Sequence, residues 1–181
     1  EKGPLVAKDF QLERMDNLGF HTAEMKGIAC ASYLTTVFRG RLKLDEAKFR
    51  YVKCAILERA DFYQGAADVE SRFYTIEEAL DHSRWEKMNS NNGFVDSRPE
   101  FALAQAFSHF TFHITDGLLM VLDLQGVVTN GNFVLSDPAV QTMARASFAN
   151  PTNVGEQAVR KFFQAHRCNE FCKALKLPRM A

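Results

Sequence analysis

Leu118-Leu119-Met120-Val121-Leu122-Asp123-Leu124 is an apolar run broken by one charge, with Asp116-Gly117 before it and Gln125-Gly126 after it. A run of this length between turn formers reads as a central strand. Asp123 is the anomaly. A carboxylate buried without a partner is costly, so it either serves chemistry at the carboxyl end of the strand or caps the turn that follows.

Downstream, Thr129-Asn130-Gly131-Asn132 and Ser136-Asp137-Pro138 are turns. Taken alone, Asp137 is an ordinary turn residue. Two carboxylates, Asp123 and Asp137, with the Gln125 amide between them in sequence nevertheless suit a hard cation such as magnesium, which takes oxygen ligands. The loop Asn150-Pro151-Thr152-Asn153-Val154-Gly155 then leads to a helix from about Glu156 to Ala165, and a last short helix spans roughly Asn169 to Leu175.

Upstream, Glu100 to His113 is helix-like but apolar on more than one face, which predicts burial. The stretch Lys87-Met88-Asn89-Ser90-Asn91-Asn92-Gly93 is loop chemistry. Phe49 to Leu57 and Phe73 to Leu80 read as strands. From His21 to Arg39, apolar residues recur at helical steps. Leu5-Val6-Ala7 reads as a short buried strand ending at Lys8, a residue that alone carries little information. Strands and helices follow one another without regular βαβ alternation, so the class is α+β.

The sharpest local feature is His166-Arg167-Cys168-Asn169-Glu170-Phe171-Cys172. On a helix, cysteines four apart project from one face, and His166 can reach the same point. A fourth, distant histidine would complete a tetrahedral zinc site. The spacing alone equally fits two half-buried cysteines that only pack.

The chain has 181 residues, 46% of them hydrophobic, with sixteen Phe, which is enough for one domain with a sizeable core. Lys+Arg and Asp+Glu both total 22. That balance argues against broad, sequence-independent binding of nucleic acid. No run is long and apolar enough for a membrane span, and these residues contain no charged-then-apolar stretch of the secretory kind. The spacing of Cys30, Cys54, Cys168 and Cys172 is not that of a secreted disulfide framework, so a reducing, intracellular and cytoplasmic setting is expected. The phosphate loops G-x-x-x-x-G-K-[ST] and G-x-G-x-x-G are absent, as are H-R-D and D-F-G. Read residue by residue, the sequence stops at an α+β domain with a zinc-like cluster and metal-assisted chemistry at Asp123.

In order along the chain stand Ala106-Phe107-Ser108-His109-Phe110-Thr111-Phe112, Val121-Leu122-Asp123-Leu124-Gln125-Gly126-Val127 and Leu135-Ser136-Asp137-Pro138. Asn153-Val154-Gly155, Phe162-Phe163 and His166-Arg167-Cys168-Asn169-Glu170-Phe171-Cys172 follow. This series, over about Lys8 to Leu177, resembles the alpha-kinase family of atypical, zinc-containing protein kinases. The resemblance implies a two-lobed kinase-like fold over residues 1–181, with an amino-terminal lobe remnant at about 1–80 and a carboxy-terminal lobe at about 81–181. With so few residues before Lys8, part of the first lobe is expected to be missing.

The resemblance also implies an ATP-dependent transfer of the γ-phosphate to Ser/Thr of a protein substrate. Lys8 resembles the lysine on the ATP phosphates, and Glu24 is a candidate for its carboxylate partner. Glu77-Glu78-Ala79-Leu80 resembles the hinge whose backbone meets adenine, and Asn89 and Asn91 fall in an asparagine-rich stretch near the nucleotide. Asp123 resembles the catalytic aspartate, and Gln125 and Asp137 the Mg2+ ligands. His109 would join His166, Cys168 and Cys172 on a structural Zn2+, with His113 spare. Departures from the family pattern are Asp81-His82 after the hinge, Asn150-Pro151 and Ala158 around Gly155, and a long Asp123-to-Asp137 interval. They leave a catalytically weak or inactive binding module as the alternative.

Overall fold

Helix ends are set by caps rather than by apolar periodicity. In the computed structural model, which describes residues 3–10, 17–60, 72–143 and 152–179, the Asn17 side chain accepts the Phe20 N–H at the start of the first helix. That helix, α1 (Leu18–Leu42), ends on Lys43 in the left-handed conformation, whose N–H returns to the Arg39 carbonyl. It therefore overruns the expected His21–Arg39 at both ends.

The strands of the described residues form three sheets. One contains β1 (Leu5–Lys8), β3 (Cys54–Glu58) and β4 (Phe73–Glu78), antiparallel in the order β1-β4-β3. The second has β2 (Phe49–Tyr51), β5 (Trp85–Lys87), β7 (Gln125–Thr129) and β8 (Asn132–Ser136) in the order β2-β8-β7-β5, with β2 parallel to β8. The third pairs β6 (Leu119–Leu122) with β9 (Ala139–Thr142). The remaining helices are α2 (Ala102–Ile114), α3 (Glu156–Ala165) and α4 (Glu170–Ala174).

Three expectations change here. The single strand over Phe49–Leu57 is two strands in two different sheets. Arg50 clamps the Glu78 carboxylate with two bonds of 3.0 and 2.8 Å, and the Lys53 N–H adds a third at 3.1 Å, so the chain turns between β2 and β3. Because β2 pairs with β8, the second sheet draws on the first eighty residues. β1 is an edge strand rather than a buried one, and Leu5 is 65% exposed. The apolar run 118–124 is not one central strand: β6 stops at Leu122, and Asp123 lies beyond it with φ 59°. The Asn150-Pro151 part of the expected loop lies outside the described residues.

The core is built from phenylalanine. Phe38, Phe49, Phe107 and Phe133 are fully buried and pack edge-on or tilted in a chain, with centroids 5.3 Å apart for Phe38–Phe107, 5.0 Å for Phe49–Phe107 and 5.3 Å for Phe49–Phe133. Such pairs add about 0.5–1.5 kcal/mol each beyond area burial. Helix α2 runs through this core, buried from Leu103 to Thr111, as its all-round apolarity predicted.

β7 and β8 form a hairpin turned by Asn130 (φ 51°) and Gly131 (φ 70°). Two left-handed residues match the strand twist, which is why Asn-Gly suits the turn. Gly126 faces a tighter constraint: a Cβ there would lie 2.1 Å from the Val134 carbonyl oxygen, and φ is +148°. Gly126→Ala is therefore expected to lower stability by at least the ~1–3 kcal/mol of core overpacking. Urea denaturation with an unchanged midpoint would refute the close approach of β7 to β8.

Candidate active site and metal centre

Asp123 and Asp137 are brought together by topology. Leu122 pairs with Ala139 in the β6–β9 sheet, while Gln125 pairs with Ser136 in the β7–β8 hairpin. Residues 123–124 and 137–138 are thus the two strand crossings between these sheets, side by side. Both aspartates make the crossing in the left-handed region, at φ 59° and 49°. Asp is among the few non-glycine residues that tolerate it.

A lysine meets each carboxylate. Lys8, ending β1, places Nζ 2.9 and 3.0 Å from the two Asp137 oxygens, 2.6 Å from Glu77 and 3.3 Å from the Ser136 hydroxyl. Burial works to lower the Lys8 pKa, but Asp137 and Glu77 outweigh it and hold it above the ordinary lysine value. Lys87, ending β5 opposite Gln125, lies 2.7 Å from Asp123. Gln125 begins β7 beside this pair. The corner between the sheets therefore brings together three carboxylates, two ammonium groups and an amide.

Other expected site residues take different roles. Glu24 is not the partner of Lys8; Glu77 holds that place, and Glu24 instead accepts a bond from the Thr75 hydroxyl at 3.4 Å. Burial, followed by Asp137, raises the Glu24 pKa. Within the expected hinge, Glu77 turns its side chain into the cleft, and the Ala79 N–H donates to the Pro4 carbonyl at 3.0 Å. That amide is therefore committed within the protein.

Asn89 is fully buried. Its Nδ2 donates to Gln105 and Ser108 of α2, both at 3.0 Å, and its Oδ1 accepts the Leu124 N–H at 3.1 Å. It supports the Asp123 turn from behind. Asn91 ties its side chain to the Thr152 carbonyl at 2.9 Å. Sequence reading missed Lys87 and Ser136. Lys87 lies in polar loop sequence, and only its register opposite Gln125 brings it to Asp123. Ser136 was read only as part of a turn.

The second cluster is His109, His166, Cys168 and Cys172, whose donor atoms all lie within 4.8 Å of one another. Cys168 Sγ is 3.8 Å from His109 Nδ1, and Cys172 Sγ is 3.5 Å from His166 Nε2. Around a tetrahedral zinc, bonds of ~2.0–2.3 Å put neighbouring N and S donors ~3.3–3.8 Å apart. The donor set and its spacing fit such an ion. Burial lowers both histidines to about 4, so each offers a neutral imidazole, the form that ligates. Burial also pushes the Cys172 thiol up to about 11.

As the expected helix over about Asn169 to Leu175 implied, the two cysteines do not share a helix: α4 begins at Glu170, with Cys168 before it. Asn169 caps it, accepting the Phe171 and Cys172 N–H groups while donating to the Ala102 carbonyl at 2.8 Å, which ties the cluster to α2. His113, the spare histidine, is exposed.

The alpha-kinase family matches residues 1–172 of this chain. The alpha-protein kinase vwkA of Dictyostelium discoideum is 34% identical over 108 residues, which is 60% of this chain and 17% of that protein. This chain thus spans under a fifth of that relative's length. An alpha kinase from Entamoeba histolytica superposes with TM-score 0.83 at 26% identity, over 97% of this chain and 69% of that one. The alpha-kinase domain of myosin heavy chain kinase A in complex with AMP superposes with TM-score 0.79 at 24% identity, over 96% and 66%.

The two asparagines should separate on substitution. Asn89→Leu leaves the Leu124 N–H unsatisfied and is expected to cost about 1–3 kcal/mol. Asn91→Ala, at a partly exposed amide, should stay within ~0.5 kcal/mol. Equal losses in thermal denaturation would overturn the supporting role of Asn89.

Proposed function

The chain belongs to the alpha-kinase family, and from that premise we propose an ATP-dependent protein kinase that transfers the γ-phosphate to a Ser or Thr hydroxyl of a protein substrate. What carries this reading is the convergence of Lys8, Glu77, Asp123, Gln125 and Asp137 on one corner between sheets. Phosphoryl transfer needs positioning and charge neutralisation more than covalent chemistry from the protein. That corner offers both.

In this reading Lys8 binds the phosphates and Glu77 keeps its ammonium in the cleft. Asp137 and Gln125 are the oxygen donors for Mg2+, which supplies neutralisation of phosphate charge when bound. Asp123 accepts a hydrogen bond from the substrate hydroxyl. As the hydroxyl oxygen bonds to the γ-phosphorus and the bond to the ADP oxygen breaks, the hydroxyl proton passes to Asp123. Lys87 holds that carboxylate in place. Adenine is assigned to the segment Glu77–Leu80, through Leu80 rather than Ala79, whose N–H is taken by Pro4. The AMP complex of the myosin heavy chain kinase A domain supports a nucleotide in this fold.

We assign the His/Cys cluster to structural zinc, since four protein ligands leave no open position for catalysis. Residues 1–80 and 81–181 are taken as the two lobes, with β2 passing from the first into the sheet of the second. Cys30 and Cys54, neither of them in a disulfide, agree with a reducing, intracellular setting.

The kinase reading is tested with the full natural chain. Asp123→Asn should keep Mg2+–nucleotide binding while phosphate transfer to a Ser/Thr peptide falls ~10²–10⁴-fold, the range of a lost general base. Asp137→Asn should also raise the Mg2+ concentration needed for half-maximal rate. Asp123→Asn at parental rate would remove it from the chemistry. A parent that binds nucleotide but transfers no phosphate to peptide or to itself would make the domain a binding module.

The zinc assignment predicts one zinc per chain by elemental analysis and an unfolded Cys172→Ser, because structural zinc in small sites can supply on the order of 10 kcal/mol. Pure, folded protein without stoichiometric metal would overturn it.

A further inference from the structure

Glu77 is only 4% exposed, and a buried carboxylate is stable only when donors surround it. Lys8 Nζ is 2.6 Å from it, and Ser136 Oγ is 2.9 and 3.1 Å from its two oxygens. Ser136 is itself fully buried. A hydroxyl has one proton. With that proton given to Glu77, the oxygen is left to accept from Lys8 Nζ at 3.3 Å. The hydrogen bonds therefore run one way, from Lys8 to Ser136 to Glu77.

The hydroxyl also spans two sheets. Glu77 lies on β4 of the β1-β4-β3 sheet, while Ser136 ends β8 and is the covalent neighbour of Asp137. Fixing Glu77 to Ser136 fixes it one residue from Asp137. Lys8 then has carboxylates on both sides at 2.6 and 2.9 Å. Without the Ser136 oxygen, Glu77 loses its side-chain bond to the β8 end of the cleft, and Asp137 can draw the ammonium toward itself. Cys54, whose thiol lies 3.8 Å from Glu77, is no substitute, because a thiol is only a weak donor.

We propose that Ser136 is a positioning residue whose buried hydroxyl locks the Glu77–Lys8 pair across the two sheets and so sets the site's affinity for the phosphates of a nucleotide. This rests on the kinase reading above. It goes beyond it by predicting a split between ligands. Lys8 serves phosphate alone, so a misplaced Lys8 weakens a triphosphate and leaves a bare nucleoside alone.

The test is calorimetry on the full chain with Mg2+–AMP-PNP and, separately, adenosine. Ser136→Ala should bind Mg2+–AMP-PNP about tenfold more weakly, the scale of one lost charge-assisted hydrogen bond. Adenosine affinity should hold within about twofold, with melting temperature and metal content monitored as controls. Ser136→Thr, which keeps the hydroxyl, should restore the triphosphate affinity. Equal losses for both ligands, or none, overturn the inference alone. If Ser136→Ala does not fold, Ser136→Cys should give the same selective loss, and its absence overturns the inference. A parent that binds neither ligand overturns the kinase reading and this inference with it.

Discussion

One ammonium group stands at the junction of two sheets on which the site depends. Lys8 Nζ lies between Glu77 of β4 and Asp137 at the end of β8, and together with the Ser136–Glu77 and Arg50–Glu78 bonds it ties the β1-β4-β3 sheet to the β2-β8-β7-β5 sheet through polar groups. Buried ion pairs are weak contributors to stability, since desolvation offsets much of the attraction. Apolar residues in the same space would hold two sheets together at least as well. Under the proposed function these charges serve a ligand instead. Their arrangement, two carboxylates flanking one partly exposed lysine, leaves the ammonium reachable from the cleft.

The same economy governs the Asp123 side. Both crossings between the β6–β9 sheet and the β7–β8 hairpin are made by aspartates in a left-handed conformation. The strain is modest for Asp and lets each chain leave one sheet and enter the next within two residues. Gly126 completes the corner, because only a residue without Cβ can pass the Val134 carbonyl. The turn is backed by Asn89, whose amide is spent on α2 and on the Leu124 N–H.

Helix α2 links this turn to the His/Cys cluster. Gln105 and Ser108 hold Asn89, His109 is a member of the cluster, and the Ala102 carbonyl receives Asn169, the cap of α4. Disturbing the cluster thus moves the helix whose neighbouring residues support Asp123. The link is a set of hydrogen bonds on one rigid element, and under the proposed zinc assignment it would give the ion a mechanical relation to the Asp123 corner.

Much of this was legible in the sequence. The ordered motifs around Phe107–His109, Asp123–Gly126 and His166–Cys172 carried the family and, through the resemblance, His109 as the fourth member of the His/Cys cluster, while the order of strand-like and helix-like segments carried the α+β class. The Asn130-Gly131 turn and the burial of α2 were equally local, fixed by backbone preference and all-round apolarity. What tertiary structure alone decided was who meets whom. Glu77, rather than Glu24, reaches Lys8 because β4 lies beside β1. Lys87 reaches Asp123 only through its register opposite Gln125, and Asn89 turns inward because the Leu124 N–H needs an acceptor. The one apolar run at 118–124 could not reveal its own break, since a strand and a crossing have the same composition when both are buried. Pattern reports what a segment can bury or turn; pairing across distant segments sets the charges, and no local period encodes it.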